Sequence, residues 1–253
     1  MINKNNIKSI LVGVLSLTSI IVIHEFGHFI FCKFFNVRTS VFSIGFGPKL
    51  ISYQIWKTQF QIAAIPLGGY VSMNSQDIEN LPVSKQLLIM FAGILFNIIL
   101  SLVIIIYLYA KSRRKIKYHS QISKDSKEKS SELRKLLENK ENIEDIGKNQ
   151  TIGFLGIINL LGIAFRSNFD LFLKLLSIVS LNIAIFNLLP IPPLDGGQIF
   201  FVILKAFLGK NFNADKIDYI YYLIYIVSIA LFIILNIWFL FRDTKRIRQN
   251  NIK

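Results

Sequence analysis

The chain has 253 residues, 53% of them hydrophobic and 22 of them Phe, with a mean hydropathy of +0.50. A soluble protein of this length would form one or two domains; this composition sets that aside in favour of the membrane. One cysteine, Cys32, rules out an intramolecular disulfide framework and a cysteine-rich metal site, and packing is its expected role. The formal charge of +14 lies on segments between apolar runs, so membrane lipid is the expected counterpart and no nucleic acid is expected.

Residues 9–35 read as the first transmembrane helix. Inside it stands His24-Glu25-Phe26-Gly27-His28. Helix positions four apart share a face, so His24 and His28 can address one metal ion. Glu25 beside them can take a proton from metal-bound water. The apolar run before His24 is short for a full span, which sets the motif within the membrane thickness. Two histidines and a glutamate in such a segment are expensive unless they have partners or a task. Because this first apolar run carries the motif, it does not read as a cleavable signal peptide.

Residues 37–73 change character. Short pieces at 43–48, 50–56 and 60–65 suggest strands and turns, with Lys57-Thr58 as a hairpin turn and Gly68-Gly69 as a bend or close approach. This small β element is either a surface hairpin or a strand edge that pairs with an extended peptide. Residues 84–110 read as a second span. Asn97 lies within it, and a buried amide needs a partner: it either joins helices or shapes a site.

Residues 111–150 hold 12 Lys or Arg and 7 Asp or Glu, and read as a polar, partly flexible connector with an exposed helix over 131–143. His119 is expected at its surface. Residues 151–165 are apolar but short for a span, and suit an interfacial position. A third span over 171–194 ends in Asn187-Leu188-Leu189-Pro190-Ile191-Pro192-Pro193-Leu194-Asp195-Gly196-Gly197, where proline and glycine unwind the helix. Irregular backbone at membrane depth is tolerated only where it is buried in protein or lines a cavity. A short apolar piece at 199–208 precedes a fourth span over 219–241 and a basic tail. The predicted fold is an α-helical integral membrane protein with about four transmembrane helices and a small membrane-associated β element between the first two. It divides into an N-terminal half of the core (1–110), the connector (111–150) and a C-terminal half (151–253).

A catalytic zinc site normally has three protein ligands and a water. Asp195 is the leading candidate for the third, because a helix end can turn its carboxylate inward. Its alternative is an ordinary turn aspartate before two glycines.

These pieces together resemble the site-2 protease family of intramembrane zinc metalloproteases, of the bacterial regulated-proteolysis type. The resemblance rests on His24 to His28, Gly45-Phe46-Gly47-Pro48, Pro66-Leu67-Gly68-Gly69-Tyr70-Val71 and Asn187 through Gly197, in that order along the chain. It implies Zn2+ held by His24, His28 and Asp195, Glu25 as catalytic base, and Asn187 as a group that holds or polarises the substrate carbonyl. It implies substrate contact at Gly69, Tyr70 and Val71, and Asn97 is counted with them. The implied substrates are transmembrane proteins, cleaved within the bilayer of the bacterial cytoplasmic membrane. Ala92-Gly93-Ile94 and Gly153-Phe154-Leu155-Gly156 depart from the family's usual Gly-Pro steps without touching a ligand. The connector lacks the strand pattern of the PDZ domains that many relatives insert there, and the sequence names no regulator. An inactive membrane scaffold and a transporter are the rival readings. Lys and Arg near the span ends place both chain ends inside. The resemblance places them outside, and we follow it because membrane-embedded loops weaken the charge count.

Overall fold

The computed structural model describes residues 4–122, 154–208, 219–231, 233, 234 and 238. The elements are α1 (Lys4–Phe34), β1 (Thr39–Ile55), β2 (Thr58–Met73), α2 (Ser75–Glu79), α3 (Val83–Ile122), α4 (Phe154–Ser167), α5 (Phe169–Asn187), α6 (Asp195–Leu208) and α7 (Tyr219–Leu231). Among the described residues three helices are long and apolar enough to cross a membrane: Ile7–Phe34, Val83–Arg114 and Phe169–Asn187. Of the expected fourth span over 219–241 the described part is the short apolar helix α7 with residues 233, 234 and 238, and α7 alone is too short to cross. The rest of the connector, including the expected helix at 131–143, and the basic tail lie outside the described residues. α3 runs to Ile122, past the predicted end at 110, because Lys, Arg and Gln are good helix formers even where hydropathy has ended. α4 has 14 residues, about 21 Å of helix at 1.5 Å per residue, which is too short to cross the hydrocarbon core.

The chain gathers into two compact units. One comprises Met1–Gly13 and Ser101–Ser177. Here α1 and α4 meet at glycines: a Cβ on Gly13 would fall 1.9 Å from the Ile158 carbonyl oxygen, and one on Gly162 would fall 2.0 Å from that of Ser9. Small residues at a crossing let two membrane helices approach to backbone contact. Leu161, Ala164 and Phe172 form the buried centre of this unit, with Val12 against them. A Lys111–Asp170 ion pair at 2.6 Å joins α3 to α5.

The other unit comprises Val14–Leu100 and Ile178–Lys253 and carries the candidate site. Its β element is one hairpin of two long bent strands whose halves fold over each other, so that antiparallel ladders flank one in which 41–44 and 59–62 run in the same direction. Val41 to Ile44 pair on one side with residues 69–72 and on the other with residues 59–62, while 49–55 pair with 58–63. The second half of β2 therefore forms an edge, followed by the first half of β1, the first half of β2 and the second half of β1. Gly45 and Gly68, at φ +88 and +121, make the bends that let each strand serve in two ladders. The hairpin turn is Trp56-Lys57, both at positive φ, which matches the twist of a tight two-residue hairpin. That is one residue before the predicted Lys57-Thr58. Thr58 is drawn into the strand because its hydroxyl is buried, bonding to the Thr39 carbonyl at 2.9 Å and accepting from Lys33 Nζ at 2.8 Å.

Aromatic packing seats the hairpin on α1. Phe29 lies 5.5 Å from Phe42 and 5.3 Å from Phe60, ring centre to ring centre, and is almost fully buried. Such ring pairs contribute about 0.5–1.5 kcal/mol each beyond their area. The Thr18 hydroxyl donates to the Pro66 carbonyl one turn and a half before His24, so the same helix that carries the motif holds the start of the edge strand.

Candidate metal centre

The α-helical spacing of His24 and His28 puts both imidazoles on the inner face of α1, ring centres 4.9 Å apart. Their Nε2 atoms stand 3.3 Å from each other. Asp195 arrives from elsewhere in the sequence. α5 stops at Asn187, residues 188–194 form a loop, and α6 restarts with Asp195 at its first position. Local bonds satisfy the loop's backbone, among them Ile191 N to Leu189 O at 2.7 Å and Leu194 N to Ile191 O at 3.0 Å. α6 folds back onto this loop so tightly that a Cβ on Gly196 would lie 2.4 Å from the Leu188 carbonyl. The Asp-Gly-Gly step is thus a packing requirement as well as a turn signal.

Asp195 Oδ2 comes to 3.0 Å from His24 Nε2 and 3.4 Å from His28 Nε2. All three residues are buried. Three protein donors around one zinc at tetrahedral angles, with arms of about 2.0–2.2 Å, stand roughly 3.3 Å apart. Despite these distances Asp195 Oδ2 receives no hydrogen bond of acceptable geometry. A buried carboxylate oxygen facing two ring nitrogens without a proton aligned between them is what a missing cation leaves, so the donor set fits Zn2+. No other group of three such side chains gathers among the described residues.

α3 forms the back wall. His28 Nδ1 donates to the Ile89 carbonyl at 2.8 Å, which leaves Nε2 with a free lone pair for metal. One helical turn on, Gly93 faces the donors directly: a Cβ there would lie 2.3 Å from His28 Nε2 and 2.7 Å from His24 Nε2. A further turn on, fully buried Asn97 places its amide 3.3 Å from His24 Nδ1.

Glu25 follows His24 directly on α1 and is anchored from the hairpin. Its Oε2 accepts from the backbone N–H of Val71 at 3.1 Å, at the edge of the sheet. It is half-buried, as a group exchanging protons with water must be. The other β-element candidates divide. Gly69 packs against the Ser43 carbonyl and Val22, where a Cβ would meet the former at 2.6 Å. The Tyr70 ring stacks on Phe46 at 6.0 Å and its hydroxyl accepts from Gln61 at 3.3 Å, both within the hairpin. Val71 is the one whose backbone N–H bonds to Glu25. Asn187 is the last residue of α5, half-buried at the break; among the described residues its side chain makes no hydrogen bond to the three donors. From Val71 a cavity of about 790 Å³ extends past Met73, Ile78 and Met90 to Gln198 and Phe201.

The three side chains named from the sequence, His24, His28 and Asp195, are the ones the structure brings together, while the Ile89 carbonyl and the role of Gly93 were missed. A backbone carbonyl has no sequence signature. Gly93 stood out only as part of a helix-packing step.

Apolar helices of membrane length, with a buried His-His-Asp cluster and a carboxylate beside it, define a membrane metalloprotease. The model of Peptidase family M50 matches residues 12–232, and the chain belongs to that family, whose metal is zinc. It is 35% identical over 132 residues to a "Putative zinc metalloprotease" of Borreliella burgdorferi, a match covering 45% of this chain and 30% of that protein. It is 24% identical over 326 aligned positions to "Putative zinc metalloprotease CA_C1796" of Clostridium acetobutylicum, covering 90% of this chain and 96% of that one. That alignment is longer than this chain's 253 residues, so it spans stretches with no counterpart here. A third relative, at 33% identity, is "Probable membrane metalloprotease ARASP2, chloroplastic" of Arabidopsis thaliana, with 40% of this chain and 25% of that protein covered.

Proposed function

We propose that this protein is an intramembrane endopeptidase that hydrolyses peptide bonds within transmembrane segments of membrane proteins, in a bacterial cytoplasmic membrane. The observation that carries the reading is the meeting of the His24, His28 and Asp195 donors with Glu25 and a strand edge, on helices apolar enough to span.

Zinc, when bound, supplies a Lewis acid and lowers the pKa of water. His24, His28 and Asp195 would hold it. Glu25 Oε2 is tied to Val71 N–H, so Oε1 is the free oxygen that takes the proton from water as its oxygen adds to the peptide carbonyl. When the C–N bond breaks, Glu25 returns that proton to the leaving nitrogen. Asn187, at the end of α5, donates its side-chain N–H to the carbonyl oxygen as negative charge develops there. The substrate helix must unwind first, because its carbonyls are otherwise hydrogen-bonded. The edge of β2 offers an extended stretch main-chain pairing that offsets part of that cost, and the cavity beside Val71 gives its side chains room. Membrane lipid is the surrounding partner, and nucleic acid has no place in this reading.

The test uses purified protein in detergent with single-span membrane segments that contain helix-weakening residues. Product masses should map the cut inside the span, and a zinc chelator should stop it. Cleavage only outside the span would leave a membrane metalloprotease but end the intramembrane assignment.

A further inference from the structure

The zinc site extends one residue beyond its ligands. We infer that Asn97 is a positioning residue: its side-chain oxygen accepts from His24 Nδ1–H and so fixes the tautomer and ring orientation in which His24 Nε2 binds metal. This rests on the zinc reading above. Asn97 is fully buried, and its Oδ1 has no hydrogen-bond partner, which is costly for a polar atom. Its Nδ2 lies 3.3 Å from His24 Nδ1.

In that orientation the amide donates, so Nδ1 carries the lone pair and the proton resides on Nε2, facing Asp195. That is the wrong tautomer for a ligand. Amide oxygen and nitrogen have nearly the same size, and turning the group by half a rotation exchanges them in place. The turned amide satisfies Oδ1, places the proton on Nδ1 and frees Nε2 for the metal. One rotation thus removes the unpartnered atom and makes His24 competent. His28 already has the equivalent arrangement, its Nδ1 donating to the Ile89 carbonyl at 2.8 Å. Both ligand histidines are therefore oriented from α3.

Asn97 is itself held. Its backbone carbonyl accepts from the buried Ser180 hydroxyl at 2.9 Å, which ties α3 to α5, the helix that leads to Asp195. The tie gives a control, because Ser180→Ala loosens the helix contact without touching His24.

The experiment measures zinc affinity by competition with a chromophoric chelator, together with the thermal midpoint of the zinc-free protein in detergent. Asn97→Leu keeps the volume and loses the acceptor; a lost outer partner of a ligand histidine should weaken zinc about 10–100-fold. Asn97→Asp keeps an acceptor at the same place and should retain zinc. Ser180→Ala should lower the midpoint of the zinc-free protein while leaving zinc affinity as it was. Unchanged affinity in Asn97→Leu overturns the assignment. So does an equal loss in Asn97→Leu and Asn97→Asp, which would make the residue a packing element. Failure of the unsubstituted protein to bind zinc at all would instead overturn the reading of the site on which this one stands.

Discussion

A methyl group added at Gly93 would enter the space that the donor nitrogens face, 2.3 Å from His28 Nε2 and 2.7 Å from His24 Nε2. Alanine is the better helix former by about 1 kcal/mol, so Gly93→Ala should leave α3 intact. We expect this variant to lose bound zinc while keeping its helical circular dichroism; full zinc content by elemental analysis would show that the rings can give way. His24→Ala and Asp195→Ala should also lose metal, in their case by removing a donor. At this scale the clustered side chains were legible as candidates because chemistry restricts zinc donors to few residue types. The spacing of His24 and His28 works only on a helix, and Asp195 stood alone in a proline-broken stretch. Gly69 and Tyr70 were legible as a motif but not as neighbours. Their contacts depend on how β1 and β2 fold over each other, which no local pattern encodes.

The hairpin is the element whose placement matters most, since its edge holds Glu25 through Val71. Phe29 joins it to α1, and Phe29→Ala should cost about 3–5 kcal/mol, as removal of a buried aromatic ring does. The expected readout is a lower unfolding midpoint with the zinc donors unaltered; an unchanged midpoint would mean that the hairpin is seated by other contacts. Just before its first strand, Arg38 grips Asp77 of α2 with its side chain at 2.8 Å and its backbone N–H at 2.9 Å. The guanidinium holds the Asp77 carboxyl down at about 2, from an ordinary 3.8. A depressed carboxyl contributes above its ordinary value and loses that contribution as pH falls through the lowered one. Acid titration followed by carboxylate infrared absorption should therefore find Asp77 still ionised at pH values where free aspartate is protonated, and Arg38→Ala, which keeps only the backbone N–H bond, should reduce the difference. The strand pattern announced a β element between two helices, yet in shorter pieces than the structure has. Gly45 and Gly47-Pro48 look like breaks in sequence; at positive φ the glycines are bends within one continuous strand. The unwound end of α5 was fully legible, because proline removes donors wherever it stands.

At the scale of the chain, the three helices long enough to span among the described residues were visible in the sequence because hydropathy over some twenty residues survives any packing detail. Orientation is a different matter, since charge and family resemblance point opposite ways. We expect residues 111–150 to be cut by protease added outside intact cells; protection there, with cleavage only after lysis, would favour the charge count and place both ends inside. A single comparison reaches the central claim, that Glu25 moves protons while His24, His28 and Asp195 hold zinc. Glu25→Gln preserves shape and hydrogen bonding to Val71 N–H but cannot accept the proton. Zinc content and cleavage of a membrane-spanning segment are measured side by side on the purified protein and this variant. The account predicts equal zinc and no cleavage in Glu25→Gln; full cleavage by that variant, or loss of its zinc, would contradict it.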